Sequence, residues 1–325
     1  MFLHVSVVMP LYNKEREVGR ALRSVLAQTY QDFELIVVDD GSTDSSVEQV
    51  MANWDARIRL IRQSNHGVSA ARNRGMLEAR YALISFIDAD DEWLPGFLAK
   101  IIELRNMHSQ AKVYATSYLR RSTDGSQSKA VLRAERSDFQ EGILENYFSV
   151  AARSDPPVCS SAVAVDREAL KEIGGFPEGV RCGEDLLTWA RLASRWPVAY
   201  TRQALAVFWM HAGVSERLDR FDVKGDPVGV GLGKLYDETA SSTRKGIREY
   251  LATWYRMRAV IALQLNRRKE CIWGVCRSIQ FGGLEPRIAL VGFLALLPYP
   301  NPAKLFIALK KFKTTQSQFA NDKSS

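Results

Sequence analysis

The sequence has little of what marks several large classes of protein. Cysteine is scarce, with four residues (Cys159, Cys182, Cys271 and Cys276) in 325. None forms a CxxC pair, which argues against a structural zinc site, and four thiols in so long a chain make no disulfide scaffold. Reduced thiols fit a cytoplasmic setting. No basic n-region precedes Val5, so no secretory leader is expected. A spanning helix needs roughly 18 to 20 apolar residues in a row. The nearest run, Ile288 to Leu297, is closed by Pro298, Pro300 and Pro302. The first strand-like segment leads to Pro-Leu-Tyr-Asn, with no G-x-G-x-x-G and no G-x-x-x-x-G-K-[ST]. A dinucleotide-binding Rossmann domain and a P-loop NTPase are therefore disfavoured. A sugar-nucleotide pyrophosphorylase would need a Gly-rich, Arg/Lys-bearing loop there, which is lacking too. No recognised nucleic-acid module is present, and nucleic acid is not expected as a partner.

What is present is an ordinary globular composition, 46% hydrophobic and 25% charged, with a formal net charge of +7. Lys and Arg crowd Arg244 to Arg277 and Lys304 to Lys313. Val5 to Met9 predicts a buried strand, followed by a loop from Pro10 to Lys14. Val18, Ala21, Leu22, Val25 and Leu26 give Glu15 to Gln28 a helical spacing. Phe33 to Val38 predicts a β-branched strand ending in Asp39-Asp40-Gly41-Ser42-Thr43-Asp44, which is turn and N-cap chemistry. A helix over Ser45 to Trp54, a strand over Ile58 to Arg62, a helix over Gly67 to Ala79 and a strand over Ala82 to Ile87 follow. This alternation predicts an α/β fold with a mainly parallel sheet covered on both faces. Sites in such sheets lie outside the carboxyl ends of the strands. Pro10, Asp39 and Asp88 all sit at such ends. The Gly-rich stretch from Gly225 to Gly233 predicts a loop or boundary. The domains are accordingly read as a catalytic domain over 1–220 and a basic helical region over 221–325, with helices near Ser242 to Leu265 and Arg267 to Phe281.

Paired carboxylates at the end of a buried strand repel one another and cost desolvation. A divalent cation or a hydrogen-bonding ligand turns that cost into a site. Asp88-Ala89-Asp90 sets two carboxylates where both can reach a hard cation, leaving coordination positions for diphosphate oxygens. A D-x-D alone equally suits a surface turn.

Four blocks occur in order: Val5 to Asn13, Leu35 to Asp44, Ala70-Ala71-Arg72-Asn73-Arg74-Gly75, and Phe86-Ile87-Asp88-Ala89-Asp90-Asp91. Together they resemble the nucleotide-binding half of the family 2 glycosyltransferases, which have the GT-A fold. The resemblance covers about the first 215 residues. It implies a nucleoside diphosphate sugar donor, usually UDP-linked, and a divalent cation, Mg²⁺ or Mn²⁺. Pro10 and Tyr12 would lie in the first loop, with Tyr12 against the nucleobase. Asp39 would accept a hydrogen bond from the base, and Arg72 would help hold base or phosphates. Asp88, Ala89 and Asp90 would form the D-x-D, with Asp90 the direct metal ligand. Glu184-Asp185 resembles the family's acidic pair at a helix start, implying that Asp185 is the general base of an inverting displacement. As packing alone, the pair would be favourable acid at a helix N-terminus.

Trp209 to Ser215 resembles the family's last site segment. His211 would contact metal or diphosphate, or serve as a hydrogen-bonded structural residue. Many members carry Arg at the place held by Trp209, and Gly at the place held by Arg80. The apolar and basic C-terminal region points to a lipid-linked or growing glycan as acceptor at the cytoplasmic membrane face, in cell-surface polysaccharide synthesis. The basic C-terminal region either contacts an anionic membrane at the inner face of the plasma membrane or packs on protein. A non-catalytic scaffold or a nucleotidyltransferase of similar fold is the rival reading.

Overall fold

The computed structural model describes residues 3–210, 225–239 and 241–297. Its first part alternates strand and helix: β1 (Val5–Leu11), α1 (Val18–Leu26), β2 (Phe33–Asp39), α2 (Ser46–Ala52), β3 (Ile58–Arg62), α3 (Val68–Glu78) and β4 (Leu83–Phe86). β1 and β2 are buried at every position, which explains why they read as unbroken apolar runs rather than alternating ones. β2 and β4 flank β1 in parallel, and β3 extends the sheet beyond β2. α3 lies directly on β1, because a Cβ on Gly75 would come within 2.3 Å of Val8.

The strand β1 runs two residues further than the turn chemistry suggested. Pro10 and Leu11 pair with Val38 and Asp39. Proline is tolerated there for a reason of direction. Ile87 N donates to Val8 O as the last contact from β4, while Asp40 N donates to Leu11 O on the β2 side. Pro10 therefore faces the β4 side beyond the end of its ladder, where no N–H is required.

The rest of this unit changes the sheet from parallel to mixed. β5 (Glu92–Trp93), α4 (Phe97–Met107), β6 (Val113–Ser122), β7 (Gln127–Lys129), β8 (Glu141–Ile143), α5 (Tyr147–Arg153), β9 (Val163–Asp166), α6 (Arg167–Glu172), α7 (Glu184–Ala193) and β10 (Val198–Met210) follow in turn. The strand order is β3-β2-β1-β4-β9-β6-β10-β5, with β7 on β6 and β8 on β10. β9 is antiparallel to both β4 and β6, while β10 is parallel to β6. This mainly parallel sheet with helices has the GT-A architecture. The polar stretch Ser122 to Ser128 is the hairpin between β6 and β7.

The described residues beyond 224 belong to a second compact unit. It consists of α8 (Pro227–Glu238), α9 (Ser241–Gln264), α10 (Arg268–Gly282) and α11 (Pro286–Leu296). Its core joins Ala259 and Leu263 of α9, Cys271 and Val275 of α10, and Ile288, Val291 and Leu294 of α11. The loop expected over Gly225 to Gly233 is mostly helix. Asp226 caps α8 by accepting from Gly229 N at 2.9 Å, and Pro227 occupies the first turn. That start signal, with Val228 and Leu232 buried, outweighs the helix cost of the glycines. All four cysteines are free thiols.

Candidate active site

The loops after β1 and β2 are laced together by short polar side chains. Asn13, at φ 50°, donates its N–H to Ser42 Oγ (3.1 Å) and accepts from Thr43 N at Oδ1 (2.8 Å). Lys14 N donates to Ser46 Oγ at 2.7 Å, and Glu15 N to Asp44 Oδ2 at 3.1 Å. Tyr12 is left 45% exposed on this rim, an aromatic face offered to solvent. Beside it, Asp39 is fully buried. Its Oδ1 accepts from Ser42 N at 3.0 Å. Its Oδ2 accepts no hydrogen bond; Arg62 Nε lies 3.4 Å away as an ion pair. Asp40 has a different fate. Its Oδ1 accepts from Gln63 Nε2 (2.7 Å) and His66 N (3.0 Å), and its Oδ2 from Gly67 N (2.8 Å). It thereby pins the turn that starts α3, where Gly67 has φ 92°.

The exit of β4 repeats the division. Asp88 N donates to Ser161 Oγ at 3.0 Å, and Asp88 Oδ1 accepts from Arg72 Nη2 at 2.7 Å. Ala89 is buried between the two acids. Asp90 Oδ2 pairs with Lys14 Nζ at 2.7 Å, and its carbonyl accepts from Arg20 Nη2 at 2.7 Å. Asp91 is buried. Its Oδ2 accepts from Ser161 Oγ (2.5 Å) and its Oδ1 from Trp209 N (2.9 Å). Burial, then the neighbouring charges of Asp90 and Asp88, push its pKa well above the usual carboxylate range.

The third acidic segment opens α7. Arg72 Nη1 donates to Glu184 Oε1 at 3.1 Å, so a single guanidinium joins Asp88 to the start of this helix. Burial opposes charge on Arg72, but Asp88, Glu184 and Asp185 outweigh it and raise the pKa further. Asp185 is half-buried; it accepts from Leu186 N at 2.7 Å and from Ser160 Oγ at 3.4 Å. Burial and the adjacent Glu184 charge raise its pKa to about 7, against the lowering effect of Arg72. A carboxylate poised near neutrality is suited to taking a proton.

The site thus holds Asp88, Asp90, Asp91, Glu184 and Asp185, with Arg72 and Lys14 as direct counter-charges. Burial first, and the neighbouring carboxylates second, hold both Asp91 and Asp185 above the usual carboxylate range. No group of three or more metal-ligating side chains occurs among the described residues. Two carboxylates fit a hard cation that completes its shell with water and diphosphate. His211 lies outside the described residues.

A family model, glycosyl transferase family 2, matches residues 6–174. The chain belongs to this family. The family 2 match takes in Asp39, Arg72, Asp88 and Asp90 and stops before Glu184. An uncharacterized glycosyltransferase of Rickettsia felis is 31% identical over 220 residues, which is 66% of this chain and 34% of that protein. The chain thus spans about a third of that relative's length. An uncharacterized glycosyltransferase of Haemophilus influenzae is 33% identical over 174 residues, 51% of this chain and 64% of its own length. Among solved structures, S. aureus TarS 1-349 in complex with UDP-GlcNAc superposes with TM-score 0.66 at 18% identity, over 90% of this chain and 84% of that one. The mannosyltransferase PcManGT from Pyrobaculum calidifontis, in complex with GDP-Man and Mn²⁺, gives 0.57 at 18% identity, over 96% and 85%.

One family 2 departure gains a physical account. Trp209 has no charge, yet Arg20 Cζ lies 4.1 Å and Arg121 Cζ 5.2 Å from its ring centroid. Its indole N–H donates to Glu92 Oε2 at 3.1 Å, the oxygen that also pairs with both arginines. Cationic charge therefore remains beside position 209, held by cation–π contact and a shared carboxylate. Lys14, Arg20 and the pair Ser160-Ser161 carried no local signal in the sequence. They reach the site only through the sheet and its loops.

Proposed function

We propose that the chain transfers a sugar from a nucleoside diphosphate sugar, UDP-linked, to a hydroxyl of a glycan or lipid-linked acceptor with inversion. The observation that carries this reading is the joining of two acidic segments, the exit of β4 at Asp88 and the start of α7 at Glu184, through Arg72. Asp39 presents a buried oxygen without a hydrogen-bond donor, a vacancy suited to a base N–H, and Tyr12 offers a ring for stacking. The nucleotide-sugar complexes named for TarS and PcManGT support a donor of this class.

Asp185 takes the proton of the acceptor hydroxyl as that oxygen bonds to the anomeric carbon. The bond from that carbon to the diphosphate breaks, and its electron pair leaves with the nucleoside diphosphate. A Mg²⁺ or Mn²⁺ held by Asp88 and Asp90 would act as a Lewis acid on the leaving diphosphate. Donor turnover across a panel of nucleotide sugars, with and without EDTA, tests this reading. The expected result is one preferred donor, a requirement for metal, and loss of turnover in Asp90→Ala. Full activity in EDTA or in Asp90→Ala would remove the metal assignment. Donor binding without turnover of any donor would favour a sugar-nucleotide-binding, non-catalytic scaffold.

The second unit supports an acceptor at a membrane surface. No described helix is long and apolar enough to cross a bilayer. α11 nonetheless exposes Phe293 (59%) and Leu296 (70%) on the side away from its buried Ile288, Val291 and Leu294. Leu284 is exposed just before it, and Arg287 is exposed in its first turn. Exposed apolar side chains with a cation beside them suit the interface of an anionic bilayer at the cytoplasmic face. Co-flotation with phosphatidylglycerol vesicles, lost in Phe293→Glu/Leu296→Glu, is expected. Equal flotation of both proteins would count against it.

A further inference from the structure

Arg72 was expected to touch the donor, but its surroundings assign it another task. It is 3% exposed, and its ring contact is with Phe176, 5.2 Å from Cζ. Both terminal nitrogens point at protein carboxylates, Nη2 at Asp88 (2.7 Å) and Nη1 at Glu184 (3.1 Å). Those two acids belong to separate segments, one leaving β4 and one opening α7. Arg72 itself is set by α3, which Gly75 seats against Val8 of β1. The planar fork can hold two carboxylates in fixed directions, which a lysine ammonium cannot.

We infer that Arg72 is a positioning residue. It fixes the D-x-D segment and the start of α7 relative to one another and makes no contact with the donor. The inference rests on the reading of Asp185 as the base. The base must stand within hydrogen-bond reach of an acceptor placed by the same donor that Asp88 helps to hold. Displacement of a reacting group by about 1 Å can cost on the order of 100-fold in rate. Glu184 then serves as the anchor through which Arg72 acts on its neighbour Asp185.

Three variants of the full chain separate this from the alternatives: Arg72→Lys, Glu184→Gln and Asp185→Asn. Each is assayed for UDP affinity in Mn²⁺ by calorimetry, and for kcat and donor KM. Arg72→Lys keeps the charge and loses the fork. Glu184→Gln keeps an acceptor and leaves the buried cation paired to Asp88, so it serves if Arg72→Lys fails to fold. Both are expected to lower kcat at least about tenfold, with UDP affinity within about twofold of the parent and little further loss in the double variant. Weakened UDP binding with kcat retained would make Arg72 a donor contact and overturn the inference. Unchanged kcat in Glu184→Gln, or in a folded Arg72→Lys, would overturn it as well. Full turnover in Asp185→Asn would instead remove the base assignment, an outcome read separately from the other two.

Discussion

The acids that follow β2 and those that follow β4 close neighbouring regions of one sheet rim, and each group is divided in the same way. Asp40 and Asp91 are turned inward and accept from backbone N–H groups of distant segments, the loop at His66 and Gly67 in one case and Trp209 of β10 in the other. Asp88 and Asp90 are partly exposed on the rim, and Asp39 stands behind it, fully buried but with one oxygen that accepts no hydrogen bond. The groups differ in how the rim-facing charge is met. Asp39 has an oxygen without a hydrogen-bond donor, whereas Asp88 and Asp90 are engaged by Arg72 and Lys14. A run of like charges at a strand end is tolerable when half of it is converted into loop anchorage. The remaining half is then available for a ligand. The comparison also shows that neither group contains the proposed base.

The strongest way to break this comparison is Asp185→Asn. Loss of roughly 100- to 10,000-fold in transfer is expected, with UDP binding intact by calorimetry. A smaller drop than that would move the base back into one of the rim clusters. Next comes Asp40→Ala, which removes the acceptor shared by the His66 and Gly67 N–H groups and the Gln63 amide. Stability should fall by roughly 1.5–4 kcal/mol in urea unfolding, since each of these hydrogen bonds contributes about 0.5–1.5 kcal/mol net. Asp39→Asn should do the reverse, leaving the urea midpoint nearly unchanged while weakening UDP binding about tenfold. If Asp39→Asn unfolded the protein and Asp40→Ala only weakened UDP, the inward and outward roles would have to be exchanged.

The mildest test is pH. Asp185 is raised to about 7 by burial and by Glu184, with Arg72 acting in the opposite direction and Asp88 reinforcing the rise. Cys159, itself held protonated by burial, and Ser160 also face this carboxyl. Transfer requires the ionised form, so kcat/KM should climb with pH and level off above about 7. The stability term has the opposite sign. Between the usual carboxylate pKa and about 7 the native state keeps a proton that the unfolded chain has lost, so this group's contribution to stability declines over that window. A flat rate profile between pH 5 and 8 would deny Asp185 the role of base.

Much of the first half of the fold was legible because its signals are local. β1, β2 and β4 are buried runs bounded by turn residues, with β3 a short, partly buried strand at the sheet edge. The mixed part of the sheet was less so. β9 and β10 take their direction from pairing with β4 and β6, which no local periodicity encodes. The two-residue β5 is too short to leave a pattern at all. At α8 the glycines suggested a loop, but capping by Asp226 and burial of Val228 and Leu232 decided otherwise.

For the site, the sequence by itself determined which acids stand at strand and helix ends, because those ends follow from turn and capping chemistry in adjacent residues. Tertiary structure alone decided what each oxygen faces. Arg72 meets Glu184 across 112 positions of chain, and Asp91 meets Trp209 across 118. Whether a carboxylate becomes an anchor, a ligand or a base depends on the donors and charges placed around it in space, and those come from segments far apart in sequence.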